Sequence, residues 1–563
     1  MTIHPQDFAL GRPQFAAADL QEIARREGAA AAWQLAFARE GVRAPASVSG
    51  PFAVACTLPD GRTFLAVDRF AIQTLCYRQM GEQLHFAPRA DALVDAAATL
   101  DAQALYDYLY FHVIPSPRTV FVGVHRLPPA HCAVFDKGRL SLQPYWIAGF
   151  EPAAGAPSFD ALRDEFRSIL QASVKRQLDG GKAACFLSGG TDSSTVAGMI
   201  GLAAGHGAAS YSIGFDAEGY DEMAFARIAA KHFGTDHHEY YVTPEDLVRS
   251  IPSVAAHYDQ PFGNSSAVPA YYCAKMALDD GVTRILAGDG GDELFGGNSR
   301  YAKQRVFGWY DELPGFLRAG VLEPLFDNGP MAAVPGLSKV SSYVRQARVP
   351  MPDRIQSYNL LERLGVQEVL TADFLRQVDT GSPQTEQRGV WAGANARTLI
   401  DKQLAFDWRY TLAENDLPKV CGTTGLAGIE VGFPMLDQAL VDFSLRLPTA
   451  YKLKGLKLRW FFKQALRGFL PDEIITKKKQ GFGLPFGVWA NRHAGLKALA
   501  SDSLKSLATR GVVQPTFIRS LLDHRLAEHP GYYGEMVWIL MMLEQWLRRH
   551  RPDFTVKISR FVT

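Results

Sequence analysis

A chain of 563 residues with 59 basic and 58 acidic side chains has a formal net charge of +1. That balance writes no polyanion-binding surface into the whole chain, so nucleic acid is not an expected partner. Hydrophobic content of 47% suits a large soluble core, and no apolar run reaches the roughly 18 residues of a membrane span, so no membrane partner is expected. The opening MTIHPQDFALGRPQF lacks the charged and apolar regions of a secretory signal. The six cysteines (56, 76, 132, 185, 273 and 421) lie far apart without CxxC pairs. This spacing argues against a zinc ribbon or a disulfide framework and fits a cytoplasmic location.

In chain order, residues 50–146 alternate short strand-like runs with turns: PFAVACTL, PDG, RTFLAVDRF, LHFAP, HCAVFD and KGRLSLQPYW. Their period-two pattern and the DG and KG turns predict antiparallel sheet, interrupted by one helix at DAQALYDYLYFHV. Residues 147–157, IAGFEPAAGAP, suit a linker. From residue 158 helices alternate with AACFL, ASYSIGF, HHEYYV and TRILAG, the pattern of a parallel α/β sheet, and beyond about residue 300 the chain turns mostly helical. The expected domains are therefore 1–150 and 158–555.

Directly after AACFL comes SGGTDSST. Strand, glycine turn and helix aim backbone N–H groups and a helix N-terminus at an anion, with Ser188, Ser193 and Ser194 adding hydroxyls. Asp192 would repel a phosphate unless a divalent cation bridged the two, as Mg²⁺ does. The plainer reading is a serine-rich turn capping a helix. LAGDGGDELFGG repeats the logic: an apolar run ends in glycines carrying Asp289, Asp292 and Glu293. In an open parallel sheet ligands bind beyond the carboxyl ends of strands, so the two sites together predict one metal–phosphate ligand between them. Two further features stand out. Lys477, Lys478 and Lys479 form either a solvated face or a source of one inward cation. Glu430 sits in the apolar context GLAGIEVGFPMLD, where a carboxylate should be functional or held in an ion pair.

Taken together, LSGGTDSS, YSIGF, GYDEMAFARIAAKHFGTDHHE, DQPFGNSSAVPAYY, LAGDGGDELFGG, IEVGFPMLD and KKKQGFGLP resemble the synthetase half of glutamine-dependent asparagine synthetases. FLAVDRF, LHFAPRADAL and PSPRTVFVGVHRLPPAH extend the likeness, so that it covers about residues 50–550. The superfamily includes β-lactam synthetases and lasso-peptide cyclases. The resemblance implies an α/β protein: an N-terminal β-rich, Ntn-hydrolase-like (glutaminase-like) domain, then a parallel α/β PP-loop synthetase domain with a helical extension. It implies ATP and Mg²⁺ as cofactors, a small-molecule or peptide carboxylate as substrate, and ammonia or a substrate amine as nucleophile, with partner proteins of a biosynthetic cluster possible. Carboxylate adenylation releases pyrophosphate, and the nitrogen then forms an amide. By the same resemblance Ser188, Gly189, Gly190, Ser193 and Gly288 cradle ATP phosphates, Leu187 and Ile213 flank the adenine, and Asp192 and Asp292 hold metal. Lys479, Glu430 and Asp289 match positions close to the chemistry, leaving Lys477 and Lys478 in solvent.

Three departures stand against a working glutaminase or against aspartate as substrate. The position after Met1 is Thr2 where the family's glutaminases carry a nucleophilic Cys. RGPD-like and NGE-like glutamine-binding segments are absent, and residues 1–50 do not resemble the family. KVCGTTGLAG (419–428) stands where the family shows a VDRMSMAHS-like stretch. The expected function is thus an AMP-forming amide synthetase without glutaminase activity. The alternatives are a natural-product ligase, such as a macrolactam cyclase or β-lactam synthetase, and, from another class, a non-catalytic ATP-binding partner protein.

Overall fold

The computed structural model describes residues 7–152, 155, 157–326, 338–478 and 483–556. The N-terminal sheet contains β1 (Phe8–Gly11), β2 (Phe52–Thr57), β3 (Thr63–Val67), β4 (His131–Asp136) and β5 (Arg139–Pro144), adjacent in that order and antiparallel throughout. The turns are those the sequence announces. Gly61 takes φ +87° in the PDG turn, and Lys137 and Gly138 take φ +46° and +79° between β4 and β5. Two successive positive φ values match the right-handed twist of a tight hairpin, which is why glycine fills the second place. A smaller sheet pairs Gln83–Ala87, Cys76–Met80 and His125–Arg126.

Residues before 50 supply β1 and the helices α1 (Ala18–Glu27) and α2 (Ala29–Glu40). Trp33 of α2 is fully buried against Phe52 and Phe64, with ring centroids 4.9 and 6.3 Å away. Helix α3 (Ala102–Phe111) is capped by the Asp101 carboxylate, and its mostly apolar side chains are buried.

Residues 147–152 do not behave as a free linker. Phe150 is buried, and its N–H donates to the Asn395 carbonyl at 3.2 Å. After helix α4 (Phe159–Gln177) comes the second sheet: β6 (Ala184–Phe186), β7 (Ala209–Phe215), β8 (Asp236–Val242), β9 (Arg284–Leu286) and β10 (Glu430–Gly432). Its order is β8-β7-β6-β9-β10 and every pairing is parallel. The chain leaves β6 toward one edge through β7 and β8, then returns to its other side for β9. That reversal creates a topological switch point between β6 and β9, where open α/β sheets bind ligands.

The helices that bear on this point are α5 (Thr191–Ala204), α6 (Met223–Phe233), α7 (Ala267–Asp279), α8 (Leu417–Ala427) and α9 (Pro530–His550). The two halves share one core, in which α3 packs with α9. The Tyr108 hydroxyl donates to the Ile539 carbonyl at 2.8 Å. The β-rich first half and parallel α/β second half with helical extension agree with the fold class read from sequence. The three-residue strand β10 is an addition to it.

Candidate active site

Both glycine-rich segments sit at the switch point. After β6, Leu187 is buried and donates its N–H to the Tyr211 carbonyl of β7 at 2.9 Å. The loop then closes on itself: the Ser188 N–H donates to Ser193 Oγ at 3.1 Å, and the Ser188 and Ser193 hydroxyls lie 3.0 Å apart. Gly189 takes φ +68°, and a Cβ there would lie 2.4 Å from the Ala226 nitrogen of α6. Only glycine allows this turn against the helix. Gly190 then opens α5, placing Thr191, Asp192 and Ser193 in the first turn, where the helix dipole favours an anion.

The second segment touches the first. A Cβ on Gly288 would sit 2.8 Å from the Ser193 nitrogen, and one on Gly291 would sit 2.0 Å from Asp192 Oδ1. The glycines of GDGG are therefore the means by which β9's loop approaches α5. The result brings Asp192 and Asp292 onto one buried cation, Arg459. Its Nη1 donates to Asp192 Oδ2 at 2.6 Å, to Asp292 Oδ1 at 2.9 Å and to Thr191 Oγ1 at 2.8 Å, and Nη2 donates to Asp192 Oδ1. Burial works against the guanidinium charge, but Asp192 and Asp292 more than offset it and raise its pKa.

A cleft of about 950 Å³ opens over these loops. Leu187, Ser188, Gly190, Asp192, Ser193, Ile213, Gly288, Asp289 and Asp292 all line it. Gly189 lies behind the loop against α6. Asp289 faces Lys419 of α8 at 3.7 Å, and Lys419 also reaches Asp416 at 3.3 Å. Burial raises the Asp289 pKa; Lys419 opposes the shift and Asp416 and Asp192 add to it.

The structure does not bring Glu430 to this cluster. It opens β10, at the end of the sheet away from the cleft, and its side chain is 62% exposed. Arg12 holds it at 2.5 Å and Arg284 at 3.1 Å, which is the ion pair that its sequence context left open. Lys479 and the Phe482 that follows it lie outside the described residues, as does Thr2. Lys477 corrects the expectation that it stays in solvent. Its side chain is 8% exposed, its Nζ is 2.9 Å from Glu222 Oε1 and 3.5 Å from the Gly189 carbonyl, and it lies 4.5 Å from the Phe225 ring centroid. Lys478 is exposed, as expected.

Sequence reasoning missed Arg459, Lys419 and Glu222. Glu222 belongs to GYDEMAFARIAAKHF, a stretch that carries part of the resemblance, so its motif was visible although its role was not. No CxxC-type or charge-run signal marks Arg459, which arrives in LKLRWFF 267 residues after Asp192. All six cysteines are free thiols, and among the described residues no helix is long and apolar enough to cross a membrane.

Residues 165–548 match the family model described as asparagine synthase, and residues 33–146 match the one described as glutamine amidotransferase domain. The second match begins earlier than the limit near residue 50 read from motifs. Asparagine synthetase [glutamine-hydrolyzing] 1 of Bacillus subtilis (strain 168) is 24% identical over 489 residues, 85% of this chain and 74% of the relative. A putative asparagine synthetase [glutamine-hydrolyzing] of Mycobacterium tuberculosis (strain H37Rv) is 25% identical over 480 residues, 81% of this chain and 68% of the relative. Amidase chyE of Penicillium rubens is 30% identical over 459 residues, 71% of this chain and 66% of the relative. The synthase match spans both glycine-rich loops, the cleft and most of the helical extension, and on that ground the chain belongs to the asparagine synthase family of ligases that bind ATP and form carbon–nitrogen bonds.

Proposed function

We propose that this ligase adenylates a carboxylate, releasing pyrophosphate, and passes the acyl group to a nitrogen nucleophile without obtaining ammonia from glutamine in its own N-terminal domain. The observation that carries the first half is the convergence of Asp192 and Asp292 on Arg459 beside the Ser188–Ser193 loop. Those carboxylates are hard oxygen donors without sulfur or imidazole among them, a set that suits Mg²⁺. Bound there, magnesium would neutralise phosphate oxygens and the departing pyrophosphate.

The chain's own residues account for the rest. Backbone N–H groups and hydroxyls of the Ser188–Ser193 loop hold the phosphates at the N-terminus of α5. Leu187, just after β6, and Ile213, within the neighbouring β7, offer an apolar seat for the adenine base. The Lys477 ammonium, directed at the Gly189 carbonyl, supplies positive charge beside the loop, and Lys479 is the second such lysine in this proposal. Asp289 and Lys419 face the acceptor. Each is partly neutralised by the other, so the pair can orient a polar substrate without a strong net charge.

The second half rests on sequence: Thr2 replaces a cysteine nucleophile and the glutamine-contacting segments are missing. The acceptor side supports a substrate other than aspartate. Between Cys421 and Gly425 α8 carries no charged side chain, and Gly422 in that stretch presses on the Tyr258 ring, where a Cβ would lie 2.4 Å from Cε1. A fungal relative is named an amidase and not an asparagine synthetase. On this reading a ligase for a substrate that brings its own amine competes directly with one that uses free ammonia.

The test is to incubate the full chain with ATP labelled at the α- or γ-phosphate, with candidate amino acids and peptides. Labelled AMP and pyrophosphate are expected, with no glutamate formed from glutamine. ADP with free phosphate, or glutamate released in step with amide product, would overturn the proposal.

A further inference from the structure

The geometry points to Arg459 as an internal counter-ion that occupies the metal position until nucleotide arrives, and so makes metal binding depend on nucleotide. This inference rests on the adenylating reading above. Two carboxylates facing each other in a half-buried site repel, and a buried charge without a partner is costly. Arg459 answers both problems at once. Its side chain is 5% exposed, and one nitrogen, Nη1, is shared among Thr191, Asp192 and Asp292.

The arginine is held for this task. Its backbone adopts φ +52°, in the left-handed region that favours glycine, and its N–H donates to the Gly296 carbonyl at 3.2 Å. Its guanidinium carbon lies 4.1 Å from the Phe462 ring centroid. A non-glycine residue in that backbone region persists only where the surroundings hold it. The unusual backbone thus aims the side chain between the two acidic loops.

A divalent cation arriving alone must displace Arg459 from both carboxylates. The guanidinium would then be buried with the Thr191 hydroxyl in place of its two charged acceptors; its Nε already has no hydrogen-bond partner. A nucleotide changes this, because its phosphate oxygens, held by the adjacent Ser188–Ser193 loop, give the guanidinium new charged acceptors. Metal and arginine can then be satisfied together. Arg459 is therefore a positioning residue for the carboxylates in the resting protein and a phosphate ligand in the loaded one.

The test titrates the full chain with MnCl₂, following free Mn²⁺ by electron paramagnetic resonance, with and without α,β-methylene-ATP. The wild type should bind Mn²⁺ at least about tenfold more tightly when the nucleotide analogue is present. Arg459→Gln should bind Mn²⁺ without nucleotide at least about tenfold more tightly than wild type, while its affinity for the analogue falls by a similar factor. Arg459→Gly, which suits the backbone conformation, should show the same reversal. Equal Mn²⁺ affinity of the wild type with and without nucleotide would overturn the inference and leave the adenylating reading intact. Folded Arg459 variants with unchanged Mn²⁺ binding would do the same. Failure of the wild type to bind Mn²⁺ in either condition would overturn both.

Discussion

The two sheets put the same polar residue types to opposite uses. In the N-terminal sheet Asp68 is 3% exposed, and its carboxylate accepts the N–H groups of Phe52, Phe70, Ile72 and Gln73 at 3.0–3.1 Å. The thiols of that half are closed off as well, with burial pushing Cys56 and Cys132 of this sheet up to about 12 and about 11, and Cys76 of the smaller sheet up to about 12. At the parallel sheet's switch point, Asp192 and Asp292 face each other and depend on a side chain from a distant part of the chain. A carboxylate enclosed by backbone donors stabilises a loop; two carboxylates that meet a side-chain cation at the edge of a cleft keep their charge beside a ligand's path. The distinction lies in what satisfies the acid, not in how deeply it is buried.

Removing an acid from each region separates these roles most sharply at the cleft. Asp192→Asn should cost about three decades in pyrophosphate release, or ~4 kcal/mol of charge stabilisation. Near-normal turnover by a folded variant would break the contrast. Lys479→Ala should likewise abolish amide product. Next comes Lys477→Ala, expected to lower kcat/KM for ATP by about 10–100-fold, because its ammonium lies beside the phosphate loop. A silent Lys477→Ala would return that lysine to a structural role, holding Glu222 alone.

In the N-terminal sheet the measurable effect is on stability. Burial raises the Asp68 pKa to about 6 from 3.8, although four backbone N–H groups oppose the shift. The proton is therefore bound more tightly in the folded chain. Its contribution is fully present below the unfolded value and is lost as pH rises through the folded one. Asp68→Asn should lower stability by roughly 2 kcal/mol at pH 4, since one amide oxygen cannot serve four donors. Between pH 4 and about 7 the gap to wild type should narrow by on the order of 2–3 kcal/mol. Denaturant unfolding at several pH values checks this; a constant gap would mean that Asp68 keeps one protonation state throughout. The smallest effect is expected from Thr2→Ala, which should leave amide formation unchanged. Loss of activity there would give the N-terminal domain a chemical role.

Much of this was legible in the sequence where local rules suffice. The turn glycines, the strand–glycine–helix segments and the alternating strands all act within a few residues, so SGGTDSS and GDGGDE are legible as strand ends of one α/β domain, though not as neighbours. What was not legible depends on distant partners. Arg459 meets Asp292 across 167 residues of sequence. Glu430 reads as a buried acid among apolar neighbours, yet Arg12 from the other half of the chain reaches it at the far end of the sheet. Residues 8–40 give little motif signal, because their packing around Trp33 follows no short-range spacing that a motif would show. Of the three lysines, Lys477 escaped because consecutive charges look alike until Glu222 and the Phe225 ring are set beside one of them.

Helix α3 ends at His112, whose carbonyl accepts the Gly263 N–H at 2.8 Å, while Trp538 of α9 donates to the Gly263 carbonyl at 2.9 Å. A Cβ on Gly263 would lie 2.9 Å from that same His112 oxygen. Asn264 and Ser266, immediately beyond, line the cleft. One wall of the cleft is thus moored on both sides, and one of the moorings belongs to the first half of the chain. That makes the first half a support for the cleft, whatever chemistry it performs itself. Deleting it would loosen a wall that the second half does not hold alone.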